Sequence, residues 1–265
     1  MKFVELLRLS VLEYRDGGLI HLIRGALEKV ILEILGRIDR GISTKFRWKY
    51  FQWRCSDDIN EYKYPPDPFK IIQVDPNNIN KVTKRRKPHL NRRIHFGKVK
   101  DGDWDINNLS FEKQPIYRAG IKRFKKNIPW REITEVQEQI EQVQNTQLGT
   151  KSHRDKNQVL ISYKKFENLF EIIKQEGYQS QANLLDEIQR TDNLYLTELD
   201  EVAVDIGRNG ELLYADGKHR LTIAKLLDIS TIPVVVHVRH SDWMVYREKV
   251  AGGYKNDKHP DLKDI

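Results

Sequence analysis

Between residues 201 and 239 the sequence reads EVAVDIGRNGELLYADGKHRLTIAKLLDISTIPVVVHVR, and Gly217, Lys218, His219 and Arg220 stand where a strand pattern gives way to a helical one. The first turn of a helix presents unpaired backbone N–H groups at the positive end of its dipole. Cationic and ionisable side chains gathered there predict an anion site, most naturally one for phosphate. Arg220 can fork onto a phosphate through two parallel donors, or pair with Asp216 or Asp228. His219 is either a donor facing the ligand or a buried structural imidazole, and Lys218 points to the ligand or to solvent. Gly217 gives close backbone approach to a ligand or takes a positive φ, and Thr222 completes the phosphate-contact candidates. Asp216 either caps the helix or orients a metal or a substrate hydroxyl. The Gly-Lys pair is not a Walker A loop, since the preceding glycine spacing is wrong and His219 stands where Ser or Thr belongs.

These residues need a frame to hold them. Val202–Ile206 and Glu211–Ala215 flank Gly207-Arg-Asn-Gly210, and Asn209-Gly210 is a strong hairpin signal. Leu221, Ile223, Ala224 and Leu227 give a short helix its apolar face, and the β-branched run from Ile232 predicts a buried strand. Strand, helix and strand in this order predict a right-handed crossover between parallel strands. The helix N-terminus then falls at the carboxyl ends of the strands, where open α/β sheets bind ligands.

Other segments carry weaker chemistry. Asp101-Gly-Asp103-Trp-Asp105 sets three carboxylates around a tryptophan, a pattern that fits a divalent cation or a plain turn. Between Lys81 and Lys100 there are nine Lys or Arg, among them Lys84, Arg85, Arg86, Arg92 and Arg93, and no acid. That run is a solvated loop or a nucleic-acid contact. Residues 41–54 interleave five aromatics with four basic residues. They read either as a strand with Phe46, Trp48 and Tyr50 on one face or as a base-stacking surface. Gly18 to Ile38 carries an apolar helical stripe broken by Arg24, Glu28, Lys29, Glu33 and Arg37. It is too charged to span a bilayer, and it packs on the main domain, pairs with another helix or lies on a membrane surface. His237 and His240, three residues apart on a strand, diverge and do not predict a metal site.

A 265-residue chain can bury a sizeable core, and a net charge of +8 favours polyanionic partners, nucleotide or nucleic acid. Cys55 is the one cysteine, so no internal disulfide forms and a reducing cytoplasm is the expected setting. The first residues carry Lys2, Glu5 and Arg8 and lack the pattern of a secretory signal. Pro65, Pro66 and Pro68 mark a linker, which divides the chain into an extension (1–64), a main domain (65–250) and a flexible tail (251–265). Within the main domain 80–195 reads as a helical insertion, with helices over Phe111–Lys126, Thr134–Gln144 and Ser162–Gln175. His153-Arg154-Asp155 lacks the downstream asparagine of a kinase catalytic loop. The fold class expected is mixed α/β (α+β).

The residues Asp216 to Leu227, DGKHRLTIAKLL, followed by Ile232-Pro-Val, resemble the ParB/sulfiredoxin superfamily, with its Gly-x-His-Arg helix and Ile-Pro-Val strand. Ile72-Gln-Val-Asp-Pro76 looks like the strand that opens such domains. The resemblance implies a small mixed-sheet domain that holds a nucleotide's phosphates at this helix, with Gly217, His219 and Arg220 in phosphate-contacting positions. Lys218 replaces the reactive cysteine of sulfiredoxins, which sets peroxiredoxin repair aside. The second acidic-asparagine box and the helix-turn-helix domain of partition proteins do not occur. Family kinases add a carboxylate base near the opening strand, for which Asp103 or Asp105 can substitute. The expected function is therefore NTP phosphate binding (ATP or CTP, with Mg2+) serving phosphoryl transfer or hydrolysis. Asp216, Asp103 and Asp105 are the candidate base or metal ligands, and DNA or RNA binding is the alternative.

Overall fold

A computed structural model describes residues 49, 52–53, 55–56, 58–84, 96–145, 155–184, 200–254 and 258–265. The chain divides into Met1–Arg54 and Cys55–Ile265. The amphipathic stretch 18–38 and the basic residues Arg85, Arg86, Arg92 and Arg93 lie outside the described residues. In the first unit Lys49, Gln52 and Trp53 are helical, not extended. The aromatics there also recur at Phe46, Tyr50 and Trp53, a spacing that serves a helix as well as alternation serves a strand.

The larger unit is built on a six-stranded mixed sheet. In chain order its strands are β1 (Ile71–Val74), β2 (Lys81–Val82), β3 (Lys98–Lys100), β4 (Val202–Ile206), β5 (Leu212–Asp216) and β6 (Ile232–His240). Six helices among the described residues accompany them: α1 (Pro115–Gly120), α2 (Thr134–Asn145), α3 (Lys156–Glu176), α4 (Gln181–Leu184), α5 (Lys218–Leu226) and α6 (Ser241–Ala251). The sheet order is β1-β6-β4-β5-β2, with β3 also paired to β6. Since β4 occupies one edge of β6, β1 and β3 share the other, one after the next. Every residue of β4 and β6 is buried, as their unbroken apolar runs require. β1 ends at Asp75-Pro76, where Asp75 accepts from the Asn77 amide and starts a 3-10 turn.

The hairpin at Gly207–Gly210 forms, with Ile206 opposite Leu212. Gly210 takes φ 85°, and a methyl group there would stand 2.6 Å from the Trp243 ring, so only glycine fits. The crossover is different from the expected one. β5 is antiparallel to β4 while β4 is parallel to β6, so β5 and β6 run in opposite directions. The chain leaves β5 beside Ala203 and enters β6 beside Val202, so α5 starts and finishes at one end of the sheet. Its N-terminus lies at the amino ends of β4 and β6, not at their carboxyl ends. A nine-residue helix with a short turn can bridge neighbouring strand ends as readily as it can return along them.

Beyond its first turn α5 is buried from Leu221 to Leu226, Lys225 included, which reaches Asn80 Oδ1 at 3.2 Å. Leu221 and Ala224 join the sheet core; Ile223 and Leu226 join a second core with Ile116, Val136, Ile140, Phe166 and Phe170 from α1, α2 and α3. α1 packs on α5 through Gly120, where an added methyl would sit 2.9 Å from Leu226 Cδ1 and 3.2 Å from Thr222 Cγ2. After Gly120 the helix widens into a π turn, Ile121–Lys125, which carries Phe124 onto Phe170 as a stacked pair 3.7 Å apart. The helical part begins only at Pro115, because β2 and β3 within the expected insertion belong to the sheet.

Both expected boundaries of the main domain move outward. Cys55 and Ile59 are buried, and Asp58 accepts from Lys98 Nζ at 2.7 Å and from the Val99 amide. At the other end the tail is not flexible over 258–265: Asp261 and Leu262 are buried in a 3-10 turn. Asp261 holds Arg239 Nη2 at 2.6 Å, Arg239 Nε at 3.0 Å and Trp243 Nε1 at 2.9 Å. Arg247 bonds the Asp261 carbonyl, the Tyr64 carbonyl and Asp264, which also takes Lys70 at 2.8 Å. A polar tail is fixed here by buried charge rather than by apolar burial.

Candidate functional site

The corner where β5 becomes α5 is built as follows. Gly217 precedes the helix at φ 86° and ψ 32°, and no side chain caps it. The glycine is required by the fold: a methyl there would stand 2.9 Å from Val202 Cα. Asp216 turns its carboxylate to the Gly217 amide at 2.7 Å, which places a negative charge at the positive end of the helix. Lys218 is exposed.

His219 leans inward. Its ring lies 5.3 Å from that of Phe166 on α3, which in turn meets Phe124 and Trp130. Burial, with the neighbouring Lys218 charge adding to it, pushes the imidazole down to about 4, so it is neutral at physiological pH.

Arg220 does not extend into open space. Its Nη1 donates to Glu201 Oε2 at 2.8 Å and its Nη2 to the Asp200 carbonyl. The Glu201 side chain is fully buried, and its other oxygen accepts from the Gln181 amide at 2.5 Å. The Tyr178 hydroxyl is buried beside the pair, and burial pushes it up to about 12. Burial also raises Glu201 above the ordinary carboxylate range, against the pull of the Gln181 amide and Arg220. In the structure Arg220 thus pairs with neither Asp216 nor Asp228 but with a carboxylate that β4 positions.

Thr222 is fully buried against α1, with its hydroxyl unbonded inside the helical core, and is removed from the phosphate candidates. Asp103 and Asp105 are not at this corner. Both bind Arg208 at the tip of the β4–β5 hairpin, at the opposite end of β4, about 13 Å away at the usual rise per residue. Asp105 accepts from the Arg208 amide at 2.7 Å and from Nε and Nη2, and Gly102 supplies a carbonyl. Burial opposes the charge on Asp105, and the Arg208 bonds outweigh it and hold the carboxyl below its usual range. The guanidinium is the cation that this acidic turn holds. His240 donates from Nε2 to the Gly102 carbonyl of the same turn at 2.9 Å, while His237 packs edge-on to Phe96 at 4.9 Å, so the two histidines do diverge.

Among the described residues no three His, Cys, Asp or Glu side chains converge as a metal site. No step is assigned to Mg2+. Lys84 is exposed just beyond β2. Glu201, Tyr178 and Phe166 were invisible to motif reasoning, since they reach the corner from elements 19 to 54 residues before Arg220. No protein-family model, no curated protein and no solved structure matches the chain.

Proposed function

We propose that the β5–α5 corner binds the phosphates of a nucleoside triphosphate, and that the domain is ParB/sulfiredoxin-like in this use. The observation that carries the proposal is the uncapped first turn of α5 with Lys218, His219 and Arg220 in succession on it. Such a turn offers amide donors in the direction where negative charge is favoured. Lys218 supplies a mobile charge, neutral His219 an N–H, and Arg220 a guanidinium that must first leave Glu201. Positioning and electrostatics of this kind serve phosphoryl transfer or hydrolysis, with Asp216 the nominated carboxylate present to take the acceptor's proton.

A panel of ATP, CTP, GTP and ADP, each with and without magnesium, tests the proposal through the melting transition. Ligand at one hundred times its dissociation constant stabilises by about 2.7 kcal/mol. A shift with triphosphates that exceeds the shift with diphosphates supports the site; no shift with any of the four at millimolar concentration removes it.

A further inference from the structure

Several buried or half-buried carboxylates among the described residues are held by cations, and Glu201 differs from Glu135, Glu167 and Asp261 in how it is held. Glu135 takes Arg118 and Lys122, each at 2.8 Å; Glu167 takes Arg123 and Lys164; Asp261 takes Arg239 twice and Trp243. Each of those three has two cations within ion-pair distance, or a forked guanidinium with an indole N–H. Glu201 receives one guanidinium nitrogen on Oε2 and one backbone amide on Oε1, while the second nitrogen of Arg220 is spent on the Asp200 carbonyl. A buried carboxylate so served does not recover its desolvation. Its charge is accordingly disfavoured, while Glu135, Glu167 and Asp261 are held below the usual range. Arg220 keeps 14% of its side chain exposed, whereas Glu201 keeps none, so the guanidinium is the half of the pair that solvent-borne anions reach.

We propose that Glu201 is a displaceable latch: a phosphate oxyanion arriving at α5 takes Arg220 from Glu201, and the Glu201 contact with the Gln181 amide loosens with it. The inference rests on the phosphate-site proposal and adds its regulation, because the carboxylate that restrains Arg220 also ties down α4. Phosphate occupancy at α5 and the hold on α4 are then opposed uses of one side chain. Glu201 acts through Arg220 and is a positioning residue.

Titration calorimetry with ATP on the wild type and on Glu201→Gln tests the latch. The amide keeps the shape of the side chain and removes the charge that competes for Arg220. The variant is expected to bind ATP about tenfold tighter or better, a charged hydrogen bond no longer having to be given up. A residue with a purely structural role would leave affinity unchanged or lower it. Adding Arg220→Ala to Glu201→Gln should erase the gain. Should Glu201→Gln fail to fold, the wild type still reports through the Gln181 amide. Its hydrogen exchange should speed about tenfold with saturating ATP if the latch opens, and unchanged exchange overturns the latch. Wild-type binding with no gain in Glu201→Gln overturns the latch and leaves the phosphate site standing. No binding by either protein overturns the phosphate site and the latch with it.

Discussion

The two ends of the central strands hold arginine–carboxylate pairs of opposite character. At the carboxyl end of β6, Asp261 and Arg239 are both fully buried, and the carboxylate gathers a forked guanidinium and an indole N–H. Its charge is favoured despite burial, through Arg239 above all. At the amino end of β4, Glu201 is as deeply buried but receives a single guanidinium nitrogen and one amide, and its charge is disfavoured. Burial alone therefore does not make an ion pair structural. The number of donors that repay desolvation decides whether a pair locks the fold or stays exchangeable. The first end anchors the chain terminus to β6 and α6; the second leaves an arginine within reach of solvent on the first turn of a helix.

The largest effect should come from breaking the locked pair. Asp261→Ala strands Arg239 in the core and is expected to cost about 3–5 kcal/mol, read from urea unfolding. A loss below about 1 kcal/mol would erase the contrast between the two ends. Next comes His219. Its folded value lies near 4 and its unfolded value near 6.5, so between these the unfolded chain binds a proton that the folded chain does not. Stability is then full above about pH 6.5 and falls as pH drops toward 4, by a total on the order of 3 kcal/mol. The acid-side fall in urea midpoint should be visibly smaller in His219→Gln; equal slopes would show the imidazole to be solvated. The smallest effect concerns the acidic turn. Because Arg208 already serves Asp103 and Asp105, millimolar Mg2+ or Ca2+ should leave the melting temperature unchanged in the absence of nucleotide. A clear rise would mean that a metal displaces the guanidinium.

Much of the frame was legible before the structure. The hairpin followed from Asn209-Gly210, the central strand from the β-branched run at Ile232, and α2 and α3 from apolar spacing, because each rests on local periodicity or turn chemistry. The direction of β6 relative to β5 was not legible. The apolar pattern of α5 is the same whether the helix returns along the sheet or bridges strand ends. Charged residues were the least legible. Asp261 in a polar terminus carries no periodic signal, and its burial depends on Arg239, Trp243 and Arg247 arriving from β6 and α6. The Gly217–Arg220 cluster was found from its types and spacing, but the partner of Arg220 was not, since Glu201 stands 19 residues away and is brought near only by the β4–β5 hairpin. Asp103 and Asp105 failed as site candidates for the same reason, as the sheet carries their turn to the far end of β4.

The central claim is that Arg220 on the first turn of α5 meets a nucleotide's phosphates. Titration calorimetry with ATP and CTP on the wild type, Arg220→Ala and Lys249→Ala tests it most directly, Lys249 being an exposed cation on α6. The account predicts binding by the wild type, a loss of about 1.5–3 kcal/mol in Arg220→Ala and no loss in Lys249→Ala. Equal binding by wild type and Arg220→Ala, or no binding of either nucleotide, would contradict it.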